Sequence, residues 1–299
     1  MISDFFANSQ DNMQKEWTVA PIDSGMKLQA FLAAKIGHSA KSLKKAIEAN
    51  CCQINGRTER FASTIVGLGD RIYLDIKERP SLEFDNSRLL YEDDDLLVYN
   101  KPAGINCDED GILKLLRKHN ANLQLVHRLD RDTTGTLILS KNEETLKHLI
   151  GQFKYHEVKK SYRAIVDGVI KKQSGKIENY LVVKRKIAGQ TIWGESDQPP
   201  GLHAVTRWES LKKGKETSLV VCYPETGKTH QLRVHLAGMG HPILGDVQYG
   251  KKFKTTYHAD RYLLHSDQIA FSHPKTMKKI VATAPFPDDF KDAERNLFT

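Results

Sequence analysis

Beyond residue 88 the chain is a succession of short runs in which apolar and polar side chains alternate, with few stretches of helical period between them. Leu96 to Tyr99, Thr136 to Leu139, Ser161 to Val166, Ser218 to Cys222 and Gln268 to Phe271 are such runs. A two-residue period places the apolar groups on one face of an extended chain, so each run predicts a strand. One helix is clear, from about Glu143 to Phe153: Ser140 and Glu143 have the spacing of a capping box, and Leu146, Leu149, Ile150 and Phe153 form its apolar stripe. Parallel neighbours need long crossovers, usually helical. Strands that arrive in groups without them predict an α+β fold whose large mixed sheet is mostly antiparallel.

The amino-terminal part has a different pattern. Residues 1–17 carry too few regularly spaced apolar groups to offset the entropy of ordering them, and are expected to be a flexible tail. Leu28, Phe31, Leu32 and Ile36 then fall at helical spacing and Gly37 follows as a stop. A second helix is expected from about Ser39 to Asn50 around Leu43, Ala46 and Ile47, with Lys41, Lys44 and Lys45 opposite that stripe. Asn55-Gly56 predicts a hairpin turn after Cys52-Gln53-Ile54, and a last strand alternates at Ile72, Leu74 and Ile76. Residues 18–76 thus predict a small α/β domain. Pro80 and a charged, aperiodic stretch make 77–87 the expected linker to a large domain at 88–292.

Lys and Arg outnumber Asp and Glu by 45 to 37, a net charge of +8, which favours a polyanionic partner without choosing nucleic acid over a membrane surface. Cys51, Cys52, Cys107 and Cys222 form no C-x-x-C pair and no disulfide framework, so reduced thiols are expected. The polar first 17 residues lack the apolar core of a signal peptide, and no later stretch is apolar enough to span a bilayer. These features predict a cytoplasmic protein with no membrane anchor.

Several motifs mimic chemistry they do not support. Gly227-Lys228-Thr229 resembles the end of a phosphate loop, but Cys222 stands where that loop needs its first glycine. His230, His235 and His241 are spaced five and six apart, which does not bring three imidazoles to one face of a single element; structural roles are expected instead of zinc ligation. Asp130 and Asp132 would share a strand face at roughly 6.6–7 Å between Cα atoms, which suggests a glycosidase pair, but carboxylates this close in sequence more often belong to a turn.

Five segments are unusually dense in residues that a plain core does not need: NKPAG at 100–104, HRLDRDTTG at 127–135, KSYRAIVDG at 160–168, TGKTHQLRVHLAGMGHPILGD at 226–246 and LLHSDQIAFSHP at 263–274. In this order and spacing they closely resemble the RluA family of pseudouridine synthases, over about 88–290. Residues 19–76 look like the small S4-type RNA-binding domain, first recognised in a ribosomal protein, that often precedes that catalytic domain. The resemblance implies the pseudouridine synthase fold and an isomerase acting on structured RNA, ribosomal RNA first among candidates, with no cofactor and no metal. Oligomeric state is not legible.

The implied reaction breaks the bond between uracil N1 and ribose C1′, turns the base within the site and rejoins it through C5. Asp130 matches the family's essential aspartate, acting either as a nucleophile at C1′ or by assisting elimination through a glycal. A carboxylate kept charged in a closed pocket needs a cation. Arg233 matches the family arginine that pairs with it, and its planar fork could orient the carboxylate through two parallel hydrogen bonds. Tyr162 matches the tyrosine that packs on the uracil and is proposed to help remove the C5 proton. An ordinary phenol titrates near ~10, so stacking is the role its chemistry favours. Arg128 matches an arginine that fills the space left by the flipped base. The lysines at 41, 44 and 45 would grip phosphates without reading sequence. The chain departs from the usual pattern at Thr134, where serine is common, at Lys228, where arginine is common, and at Ile105-Asn106-Cys107.

Overall fold

The computed structural model describes residues 13–48, 51–76, 83–187, 190–250 and 252–298. They fall into two compact units, one within residues 1–82 together with 185–192, the other within 83–184 and 193–299.

In the first unit, β1 (Met13–Thr18), β2 (Cys52–Ile54), β3 (Arg57–Thr58) and β4 (Arg71–Ile76) form an antiparallel sheet in the order β1-β4-β2-β3. Two helices accompany it, Leu28–Ile36 and Ala40–Glu48. Gly37 ends the first helix at φ 68°, a left-handed cap that glycine takes without penalty. Asn55 and Gly56 both have positive φ, the geometry of a tight hairpin turn between β2 and β3. Leu28, Phe31 and Leu32 meet Leu43, Ala46, Ile47, Ile72 and Leu74 in a core from which water is excluded.

Residues 13–17, expected as tail, are instead an edge strand. β1 pairs with β4 in register from Met13↔Ile76 to Thr18↔Arg71, and the Trp17 ring meets Phe31 edge-on at 6.4 Å. Its ladder bonds and one aromatic supply the ordering energy, and neither shows as periodicity. Residues 1–12 lie outside the described residues, as do 77–82 of the expected linker. Residues 83–87 are not linker either: Phe84 stacks on His119 at 4.2 Å and on Tyr99 at 5.8 Å, and Asp85 caps the turn Asn86–Arg88 by accepting from the Ser87 amide.

Among the described residues the second unit carries an 11-stranded sheet, except that residues 185–192, which include parts of two of its strands, group with the first unit. Its strands are β5 (Leu89–Glu92), β6 (Leu96–Lys101), β7 (Gln124–Leu125), β8 (Thr134–Ser140), β9 (Lys159–Asp167), β10 (Ser174–Ile187), β11 (Gln190–Ser196), β12 (Leu202–Lys213), β13 (Thr217–Pro224), β14 (Leu264–Ser272) and β15 (Lys279–Thr283). The main order is β11-β10-β12-β13-β9-β14-β8-β6-β5, with β15 on β14 and β7 on β8. β14 and β8 run parallel, and this pair joins two antiparallel halves. The result is the α+β, mostly antiparallel mixed sheet that the sequence predicts.

The expected helix spans Glu143–Lys154, with two differences. Its cap is Asn142, whose side chain accepts from the Thr145 amide, while Ser140 is buried in β8. Ile150 is exposed and Gln152 is buried in its place, donating to the Ser272 carbonyl and accepting from the Ser272 amide. A bidentate amide contact to a strand backbone is invisible to a hydrophobic period.

Candidate active site

Asp130 stands on a tight turn that leads into β8, closed by the Thr133 amide donating to the Asp130 carbonyl at 3.1 Å. Groups distant in sequence hold this turn. The Arg131 carbonyl accepts from both Lys101 Nζ (2.9 Å) and the Gly104 amide (3.0 Å), so NKPAG forms its support. Burial pushes the Lys101 ammonium down to about 8, against the opposing pull of Cys107 and of Asp132 and Asp130. On the other side, the Asp132 amide donates to the Tyr262 hydroxyl (3.2 Å) and the Asp132 carbonyl accepts from Arg261 (3.0 Å). Gly135 has φ +109°, and a Cβ there would collide with the Ser266 backbone. Only glycine lets β8 pass β14 this closely. The Thr134 hydroxyl bonds His265 Nδ1 at 2.8 Å, so the substitution at this position keeps a hydroxyl contact.

Arg233 is buried on the helix Gln231–Gly238. Its Nη1 lies 3.7 Å from Asp130 Oδ2. The two-pronged grip expected for Asp130 goes elsewhere: Nε and Nη2 donate to Asp246 at 2.7 and 2.9 Å, and Nη2 donates again to Gln248 at 2.9 Å. A buried guanidinium needs a full set of acceptors, and Asp246, itself buried, supplies the closest match. The guanidinium carbon sits 4.2 Å over the Tyr262 ring and 4.9 Å over Tyr249. Burial opposes its charge, but the Asp246 carboxylate and neighbouring groups hold it firmly protonated.

Tyr162 lies on β9, paired across to Cys222 of β13 and Ser266 of β14. Burial pushes its phenol up to about 12; a hydrogen bond with Ser266 opposes this, and the nearby negative charge of Asp130 adds to it. At neutral pH it is therefore an intact phenol.

Residues 95–238 match the family model described as RNA pseudouridylate synthase. The chain is 35% identical over 267 residues to ribosomal large subunit pseudouridine synthase C of Buchnera aphidicola subsp. Baizongia pistaciae, covering 85% of this chain and 84% of that one. The chain belongs to the RNA pseudouridine synthases. An RNA pseudouridine synthase of Bacillus subtilis is 34% identical over 253 residues, 79% of this chain and 82% of its own. The solved structure of human RNA Pseudouridylate Synthase Domain Containing 4 superposes with a TM-score of 0.60 at 25% identity, covering 71% of this chain and 93% of that one.

The remaining candidates divide in this synthase. Arg128 is exposed, and no carboxylate among the described residues pairs with it. Lys44 is partly covered and lies 3.8 Å from Glu48 on the same helix; it flanks the apolar stripe because it is only one residue from Leu43. Lys41 and Lys45 are on that helix, but their side chains lie outside the described residues. Asp132 points into the protein, with 2% of its side chain exposed against 26% for Asp130, so the two do not flank a common substrate. The three histidines have structural partners: His230 meets Tyr249, His235 meets Thr206 and Asn179, and His241 meets the Asp167 carbonyl. Lys228 uses its amide to bond Gln231, and no phosphate loop forms. Asp93, Asp95 and His273 stand within metal-ligand reach of one another, but His273 and Tyr91 bond Asp93, while Asn142 and the Lys275 ammonium occupy Asp95.

Sequence reasoning did not assign roles to Lys101, Asp246, Gln248, Tyr249, Arg261 and Tyr262. Lys101 and Asp246 lie inside the quoted motifs. A lysine preceding Pro-Ala-Gly, and an aspartate 13 residues after an arginine on an apolar helix, are the signals that could have raised them.

Proposed function

We propose that this pseudouridine synthase isomerises specific uridines in structured ribosomal RNA of the large subunit, in the cytoplasm, with Asp130 as the essential carboxylate. The observation that carries the role of Asp130 is its placement: an accessible carboxylate on a braced turn, 3.7 Å from a permanently charged, buried guanidinium. Breaking the N1–C1′ bond develops positive charge at C1′, and a fixed anion there stabilises it at no reorganisation cost. Arg233 keeps that anion oriented. Tyr162, an uncharged aromatic on β9, supplies a face for the uracil. Arg128, two residues before Asp130, would enter the stack that the base leaves; its exposure supports this role. The choice of RNA rests on the Buchnera relative, whose name specifies the large ribosomal subunit.

The small unit serves, in this reading, as an S4-type RNA-binding domain whose lysines at 41, 44 and 45 contact phosphates. Its deletion is expected to weaken RNA binding, with the salt dependence of affinity reduced as those contacts are lost.

The test compares pseudouridine, mapped by chemical labelling and primer extension, in ribosomal RNA from cells making the wild-type protein and cells making Asp130→Asn. Loss of one or a few pseudouridines, restored only by wild type, supports the reading and names the sites. An unchanged map with the variant expressed and RNA-bound overturns it.

A further inference from the structure

We propose that Tyr262 and Arg261 are positioning residues that set the Asp130–Arg233 geometry, and that the carboxy-terminal helix Asp288–Leu297 takes part through Asp289. This rests on the assignment of Asp130 above. Both residues, and Asp289, lie beyond residue 238, where the match to the family model ends.

Tyr262 touches Arg233 and the turn that carries Asp130. Its ring lies under the Arg233 guanidinium at 4.2 Å, and its hydroxyl accepts the Asp132 amide at 3.2 Å while sharing a hydrogen bond with the Thr133 side chain. The side chain is buried, so it cannot swing away without opening the core around it. Arg261 holds the other side of the same residue: Nη1 donates to the Asp132 carbonyl at 3.0 Å and to the Tyr262 carbonyl at 2.9 Å. Consecutive residues thus grip the amide and the carbonyl of Asp132, two positions after Asp130. The fork of Arg261 is in turn fixed by Asp289, which accepts from Nε at 2.6 Å and from Nη2 at 3.0 Å.

Lys101 and Gly104 hold the turn at the Arg131 carbonyl; gripped at Asp132 as well, it cannot pivot about that point. Asp130 needs this because its contact with Arg233 is a single 3.7 Å approach and not a two-pronged bond that would align itself. Displacing a reacting group by about 1 Å can cost about 100-fold in rate. RNA affinity comes mainly from phosphate contacts, which the clamp does not make.

The experiment measures single-turnover rate and RNA affinity separately, on large-subunit ribosomal RNA purified from cells lacking the enzyme. Tyr262→Phe keeps the ring over Arg233 and removes the hydroxyl; Asp289→Asn weakens the anchor of Arg261 from a half-exposed position where folding is not at risk. Each is expected to lower the rate about 10- to 100-fold with affinity within about twofold, and Asp289→Glu is expected to restore most of the loss. Wild-type rates in both Tyr262→Phe and Asp289→Asn, or a fall in affinity that accounts for the whole defect, overturn the proposal. Asp130→Asn runs in the same assay. If it stays active, the assignment of Asp130 fails; if it is inactive while both clamp variants turn over normally, the clamp alone fails.

Discussion

Replacing Asp246 with alanine removes the main partner of a buried cation. The carboxylate takes two bonds from Arg233 and also accepts the amides of Gln248 (3.2 Å) and Tyr249 (3.3 Å). In Asp246→Ala the guanidinium keeps Gln248 and the looser contact with Asp130, and has no route to water because both it and position 246 are buried. Breaking a buried pair from one side costs about 3–5 kcal/mol, against about 0–1 for an exposed pair. In a unit of this size each kcal/mol moves the midpoint by roughly 2–4 °C, so Tm should fall by about 6–20 °C. Asp246→Asn keeps one acceptor and is expected to lose about half as much. The decisive variant removes both charges: Arg233→Met with Asp246→Leu should recover stability to within about 1 kcal/mol of wild type, since an apolar replacement of a buried pair is often near neutral. Urea unfolding of the four proteins, followed by tryptophan fluorescence and circular dichroism, gives the comparison. A loss below about 1 kcal/mol in Asp246→Ala, or a double variant no more stable than it, would refute the view that Asp246 compensates a buried charge.

Two further outcomes follow from the shifted pKa values. Because the Tyr162 phenol is held at about 12, Tyr162→Phe should lower the single-turnover rate by less than about 100-fold, below what a lost general base commonly costs, while Tyr162→Ala should lose far more; a 1,000-fold loss in the phenylalanine variant would return the base role to its hydroxyl. His235 and His265 are buried and held neutral down to about 4, chiefly by burial. Unfolded histidine takes its proton near ~6.5, so between that pH and about 4 the unfolded chain binds more protons than the folded one. Their contribution is complete above pH 6.5 and is lost as the pH falls, by about 2.7 kcal/mol per pH unit for the two together, which urea unfolding at pH 7, 6 and 5 measures. Stability that stays flat over that range contradicts their neutral burial.

What the sequence alone determined were the features carried by local rules. Short runs of strand-forming residues predict the strands of the large sheet and a 3.6-residue period predicts the helices, although β6 and β8 are buried along their whole length and have no single covered face for alternation to report. Gly37 and Asn55-Gly56 state their own backbone geometry. The ordered motifs brought Asp130, Tyr162 and Arg233 to attention, since a site demanding particular side chains leaves them in recognisable strings. Tertiary structure alone decided who partners whom. That β1 closes a sheet, that Asn142 and not Ser140 caps the helix after β8, and that the Arg233 fork grips Asp246 instead of Asp130 all depend on groups brought together from distant parts of the chain. The physical reason is the same in each case: a buried polar group must find a partner, but its sequence does not say which of several acceptors the packing will bring within 3 Å.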